Sequence, residues 1–288
     1  MLRKIETTEF EELVEFAYEV SQDLSKTSFP VYTDGIKTKQ DFWLRSRDGI
    51  QREGEEILVF QKNGQVEGWV HYFTIPSAKY IVMCNMSIRS GYAEAFAELL
   101  EYWKQEYPGY LWSVYFPEEN QEIAAFMKEH HYEEKSREIV DVLAFRDYEK
   151  KEDNGHVVEI QQNNFSVFRE IHQSHEQGMY WTSERIENAL DNWAIYAYKE
   201  NDQYIGAVYY NGKGSQNLEI FGIDLLPEVD NPNVIRELLI SALNGAKDAG
   251  ANSMYFFNDE TTHEIANKVG FRCVTTACYY EERMTEKN

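Results

Sequence analysis

The stretch Ile57-Leu-Val-Phe-Gln-Lys-Asn-Gly-Gln-Val-Glu-Gly-Trp-Val-His-Tyr72 returns 138 residues later as Ile195-Tyr-Ala-Tyr-Lys-Glu-Asn-Asp-Gln-Tyr-Ile-Gly-Ala-Val-Tyr-Tyr210. Six of the sixteen columns are identical, where chance gives about one. Each copy alternates apolar and polar residues, turns at Asn63-Gly64 or Asn201-Asp202, and alternates again, which is the pattern of a β-hairpin. A period of this length is far too long for a solenoid, so whole domains are repeated.

The same order of elements continues outward in both directions. A further strand is expected over 79–88 and 217–226. The period then changes from two to three or four, with Tyr92, Phe96, Leu99, Leu100 and Trp103 on one helical face, and Val234, Ile235, Leu238, Leu239, Ala242 and Ala246 on the other copy's. Gly109 and Gly250 stop these helices. Strands at 110–116 and 253–257, a short helix, and strands at 139–145 and 273–280 follow. Ahead of the hairpins lie amphipathic segments at 9–24 and 164–175, and second helices near 38–47 and 183–192. The charged stretch Glu149-Lys-Lys-Glu-Asp-Asn-Gly155 reads as a linker. The expected domains are therefore 1–148 and 156–288, joined by 149–155, each a mixed α/β fold in which an antiparallel meander feeds a β-α-β unit.

With 28 Lys+Arg against 50 Asp+Glu, the formal charge is −22. Polyanion binding relies on many basic contacts, so nucleic-acid and membrane-surface partners are excluded as general roles. A hydrophobic share of 43% supplies ample core. The start lacks the apolar core of a signal peptide, and no run approaches the ~18 apolar residues of a membrane helix, which predicts a cytoplasmic protein. Cys84, Cys273 and Cys278 are too few and too scattered for a disulfide framework or a zinc site, and are read as buried thiols. His172-x-x-His175-Glu176 is read as a polar helix face lining a cleft rather than a metal site. The same helix leads to the aromatics of Gly178-Met-Tyr-Trp181, and the first half has Phe29-Pro-Val-Tyr32 at the comparable place. No metal is expected.

Each half resembles the GCN5-related N-acetyltransferases, and the whole chain resembles a tandem pair of such domains. The resemblance rests on Ile220-Phe-Gly-Ile-Asp-Leu-Leu-Pro227, which looks like that family's central strand and closing proline. It rests also on Asn258-Asp-Glu-Thr-Thr-His-Glu-Ile-Ala-Asn-Lys-Val-Gly-Phe271, which resembles its terminal motif. The first half carries Asn120-Gln-Glu-Ile-Ala-Ala-Phe-Met-Lys-Glu-His-His-Tyr132 at the same spacing, as a drifted copy. The family's glycine-rich pyrophosphate loop has only partial counterparts, Ile88-Arg-Ser-Gly-Tyr-Ala93 in the first half and Pro227-Glu-Val-Asp-Asn-Pro-Asn-Val234 in the second. In the latter, Asn231 and Asn233 stand in for glycine, and Glu228 and Asp230 bring acids to an anion site.

The resemblance implies acetyl transfer from acetyl-CoA, as co-substrate, to a small amine by direct attack. It implies that parted strands hold the pantetheine and that a helix start holds the pyrophosphate. Ile223, Leu225, Asn233, Val234, Ile235 and Asn258 are the expected cofactor contacts. Glu219 is the expected base, with Asp224 as a second carboxylate. The matched terminal-helix positions, Met127 and Ala266 or Asn267, hold no tyrosine, so Tyr280 or Tyr279 on the last strand is the expected acid. The alternative from another class is an inactive tandem module that binds ligands or acts as a scaffold.

Overall fold

The computed structural model describes residues 1–285 except 34, 35, 153, 178 and 230. Two compact units emerge. Unit 1 comprises Met1–Glu138 with the chain from Val274 on, and unit 2 comprises Ile139–Cys273. The cuts fall after Glu138 and Cys273, so the strand at the end of each sequence half, expected within that half, lies mostly in the unit built around the other.

In unit 1 the strands are β1 (Leu2–Lys4), β2 (Glu55–Lys62), β3 (Gln65–Ile75), β4 (Tyr80–Ile88) and β5 (Leu111–Pro117), with β12 (Arg272–Arg283) antiparallel beside β5. Helices α1 (Phe10–Ser21) and α2 (Lys39–Gln51) cover one face through Phe10, Phe42 and Trp69. Helices α3 (Tyr92–Glu106) and α4 (Gln121–Glu129) cover the other, where Phe96, Trp103, Trp112 and Met127 form the core.

Unit 2 repeats the plan. Strands β7 (Val157–Ile160), β8 (Trp193–Glu200), β9 (Gln203–Asn211), β10 (Asn217–Leu225) and β11 (Ser253–Asn258) lie in order, and residues 139–144 of β6 (Glu134–Ala144) pair antiparallel with β11. Helices α5 (Phe165–His172) and α6 (Ser183–Asn188) pack on Ile195, Ala207 and Tyr209, while α7 (Pro232–Asp248) and α8 (Glu260–Val269) pack on Leu218, Ile220 and Met254. No helix among the described residues is long and apolar enough to cross a membrane.

The repeated residues have repeated jobs. Asn63-Gly64 and Asn201-Asp202 all take positive φ, the backbone of a two-residue hairpin turn whose twist matches its strands. Gly68 and Gly206 each admit a neighbouring side chain: a Cβ there would lie 2.2 Å from Ile88 Cδ1 and 2.5 Å from Leu225 Cδ2. β10 bulges between Ile220 and Gly222. Gly222 lies under the Tyr209 ring, and a Cβ would stand 2.5 Å from its hydroxyl.

Candidate active site

Both units hold one parallel pair of strands, and both pairs part. In unit 1, β4 and β5 pair only over Tyr80–Val82 and Leu111–Ser113, although β4 runs on to Ile88 and β5 to Pro117. In unit 2, β10 and β11 pair over Asn217–Ile220 and Ser253–Phe256, and then run on to Leu225 and Asn258. Strands that part bare backbone donors and acceptors, which must find other partners.

In unit 1 those partners come from the chain itself. The Ser28 N–H donates to Met86 O (2.8 Å), and the Met86 N–H donates to Ser28 Oγ (2.8 Å). On the far side the Phe29 N–H donates to Tyr115 O (3.1 Å). Asn120, fully buried, donates from Nδ2 to Thr27 O (3.4 Å), and its Oδ1 accepts from the Ile123 N–H (3.3 Å). The start of α3 is also taken. Gly91 adopts the left-handed conformation (φ 75°) that opens a helix start, but the Ala93 N–H donates to Glu122 Oε1 (3.1 Å). A carboxylate of the protein thus sits where a ligand's anion would.

Unit 2 is built otherwise. The chain between α5 and α6 meets β10 through side chains. His172, fully buried at the end of α5, holds Asp224 Oδ2 with Nδ1 (2.6 Å), and its Nε2–H donates to Trp181 O (3.1 Å). A carbonyl only accepts, so Nε2 carries a proton; the 2.6 Å contact is that of a charge-assisted bond. Burial works against the charged ring, but Asp224 and the Trp181 carbonyl outweigh it and raise the His172 pKa. His175 donates from Nε2 to Leu225 O (2.9 Å). Glu176 accepts from the N–H and hydroxyl of Ser183 (2.5 and 2.7 Å). His172 therefore does not line a cleft as the sequence suggested; the closeness of Asp224, 52 residues away, draws it inside.

Asn258, two residues past the last β10–β11 pair, is 7% exposed. Its Nδ2 donates to Asp141 Oδ2 (3.0 Å) and Phe256 O (3.2 Å), while its Oδ1 is buried with no hydrogen-bond partner. Such an orphaned acceptor is uncommon in a folded protein and fits a ligand that carries an N–H or O–H, as the pantetheine arm of acetyl-CoA does. The start of α7 does not fit that donor's pyrophosphate. Pro232 has no N–H, the Asn233 N–H donates to Asn231 Oδ1 (3.0 Å), and the Val234 N–H donates to Asn231 O (3.0 Å). Asp230 lies outside the described residues.

The remaining sequence-predicted residues are spread over three places. Glu219 is half-buried on β10 and accepts from Tyr255 Oη (2.7 Å). Phe221 packs with Trp181 and Trp193. Ile223, Leu225 and Ile235 pack with the α7 core cluster. Tyr280 pairs with Val114 on β5 in unit 1, packs on Phe116, and donates to Glu134 Oε2 (3.4 Å); burial pushes its hydroxyl up to about 12. Within unit 2, Glu219 and Asp224 lie on β10, bonded to Tyr255 and His172, and Asn258 lies on β11, bonded to Asp141, whereas Tyr280 belongs to unit 1. His172 as the partner of Asp224, and Ser28 as the filler of unit 1, escaped the sequence reading, although the His172-x-x-His175-Glu176 pattern had marked the first.

The cysteines differ from expectation. Cys278 is buried, but Cys273 is exposed and Cys84 half-buried. Cys84 joins Glu55 and His71, the donor atoms all lying within 4.8 Å of one another. Arg45 already supplies a cation there, donating to Glu55 Oε2 (2.5 Å) and Cys84 Sγ (3.2 Å).

No family model and no curated protein matches the sequence. Solved structures do. A GCN5-related N-acetyltransferase from Sphaerobacter thermophilus superposes over 100% of this chain and 96% of its own, with a TM-score of 0.68 at 11% identity. A tandem GNAT protein from the clavulanic acid biosynthesis pathway covers 100% of both chains at TM-score 0.60 and 10% identity. A putative acetyltransferase from Pyrococcus horikoshii covers 100% and 91% at TM-score 0.56 and 14% identity. The likeness runs along the whole length: the chain has the fold of the tandem GCN5-related N-acetyltransferases.

Proposed function

We propose that unit 2 transfers an acetyl group from acetyl-CoA to a small amine by direct attack, and that unit 1 does not receive the donor. The observation that carries this is the buried, unpartnered Asn258 Oδ1 beside strands that have parted, set against the filled opening of unit 1. Asn258 accepts a hydrogen bond from the pantetheine arm, and the β10 backbone past Ile220 polarises the thioester carbonyl. Glu219 takes the proton of the attacking amine, directly or through one water. The new bond joins the amine nitrogen to the acetyl carbon, the carbon–sulfur bond breaks, and CoA leaves as the thiol once that proton is delivered. Glu219, with the aromatic Phe221 and Trp181 on the α5/α6 side of β10, suits a cationic amine with an apolar stem.

The self-capped start of α7 favours a second reading, in which unit 2 binds an acyl thioester without turning it over. The full-length protein with acetyl-CoA and a panel of polyamines and aminoglycosides separates the two. Thiol release above the amine-free rate supports transfer. Thermal stabilisation by acetyl-CoA without thiol release supports the binding module, and the absence of both overturns each.

A further inference from the structure

Four backbone donors of the described residues around the α7 start, those of Leu226, Val229, Asn233 and Val234, are engaged, and this bears on what part of the donor the protein grips. The Leu226 N–H donates to Ile205 O (3.0 Å) and the Val229 N–H to Leu226 O (2.9 Å). Pro232 offers none, and Asn231 takes those of Asn233 and Val234. A helix start binds phosphate because its first N–H groups lack partners and point at one spot. Here one is missing and two are consumed by a single asparagine. The charges agree. Arg236, the first basic residue of α7, is paired with the buried Glu237, and Glu228 stands exposed just ahead of the helix. By contrast Asn258 Oδ1, on β11 two residues past its last pair with β10, is buried with no hydrogen-bond partner.

Resting on the acyl-transfer reading of unit 2, we infer that its donor is held by the pantetheine arm alone, so that short acyl-pantetheine thioesters serve as well as acyl-CoA. The nucleotide end of CoA then hangs in solvent and adds little affinity.

Binding to the full-length protein tests this without knowledge of the acceptor. Acetyl-CoA, acetyl-pantetheine and 3′-phospho-ADP are titrated by calorimetry at low and high salt. The expected result is dissociation constants for the two thioesters within about threefold of each other, insensitive to salt, and no competition from 3′-phospho-ADP. Acetyl-CoA binding more than about tenfold tighter than acetyl-pantetheine, or competition by 3′-phospho-ADP, overturns the inference and leaves the acyl-transfer reading standing. Binding of neither thioester overturns both. The double variant Asn231→Gly, Pro232→Ala restores two helix-start donors at small cost to the cap. It should gain a preference for acetyl-CoA of about tenfold, and no gain would show that the engaged N–H groups are not the cause.

Discussion

Ser28 and Met86 exchange two hydrogen bonds across the opening of unit 1, each at 2.8 Å. The backbone of β4 is thereby satisfied by a residue 58 positions earlier, at a point where β4 has parted from β5. Ser28→Ala leaves the Met86 N–H buried without its acceptor, which costs about 1–3 kcal/mol. Guanidinium unfolding of the variant should show that loss, and an unchanged midpoint would mean that the Ser28 hydroxyl is dispensable to the filled opening.

Asn120 and Asn258 are equivalents at the 138-residue offset of the repeat, yet they face opposite demands. Asn120 spends both ends of its amide on the protein, whereas Asn258 keeps Oδ1 unpartnered. Asn258→Ala should weaken acetyl-CoA binding about tenfold, or ~1.4 kcal/mol, and Asn120→Ala should leave that affinity unchanged. Calorimetry on both variants checks the pair, and equal losses would place the donor elsewhere.

The two buried histidines give the units opposite responses to pH. His172 has a raised pKa in the fold, so its stabilisation is complete below the unfolded value near 6.5 and is lost as pH rises through the folded value. Melting of wild type followed by a unit 2 signal should fall across that window, and His172→Gln should flatten it. In unit 1, burial holds the His71 pKa down, so its contribution is lost as pH falls below about 6.5 instead.

Glu55 adds an acid limb. Burial pushes its carboxyl up, but the hydrogen bonds from His71 and Arg45 prevail and bring it to about 2 from the ordinary 4.5. Its stabilisation is present above 4.5 and drains away as pH falls towards 2. Glu55→Gln should cost about 3 kcal/mol at neutral pH and remove most of the pH dependence in that interval, as read by urea unfolding at several pH values.

The hairpins, helices and parted strands were legible because they rest on local signals. Asn63-Gly64 and Asn201-Asp202 dictate turns, and the change of period after residues 88 and 226 dictates a helix. The pairing of β6 with β11 and of β12 with β5 was not legible, since a strand's period states which face is apolar and not which neighbour it joins. The same holds for Ser28 on Met86 and His172 on Asp224, contacts 58 and 52 residues long. Glu219 and Asp224 could be picked out as carboxylates on β10. That one accepts from a tyrosine while the other is locked to a buried imidazole depends on packing that no local pattern carries.

The central claim is that unit 2, and not unit 1, receives the acyl donor. Amide hydrogen exchange of the full-length protein with and without saturating acetyl-CoA reads it residue by residue. Slower exchange is predicted at 221–225 and around Asn258, with 83–88 and 114–117 unchanged. Protection of β4 and β5, or protection nowhere, would contradict it.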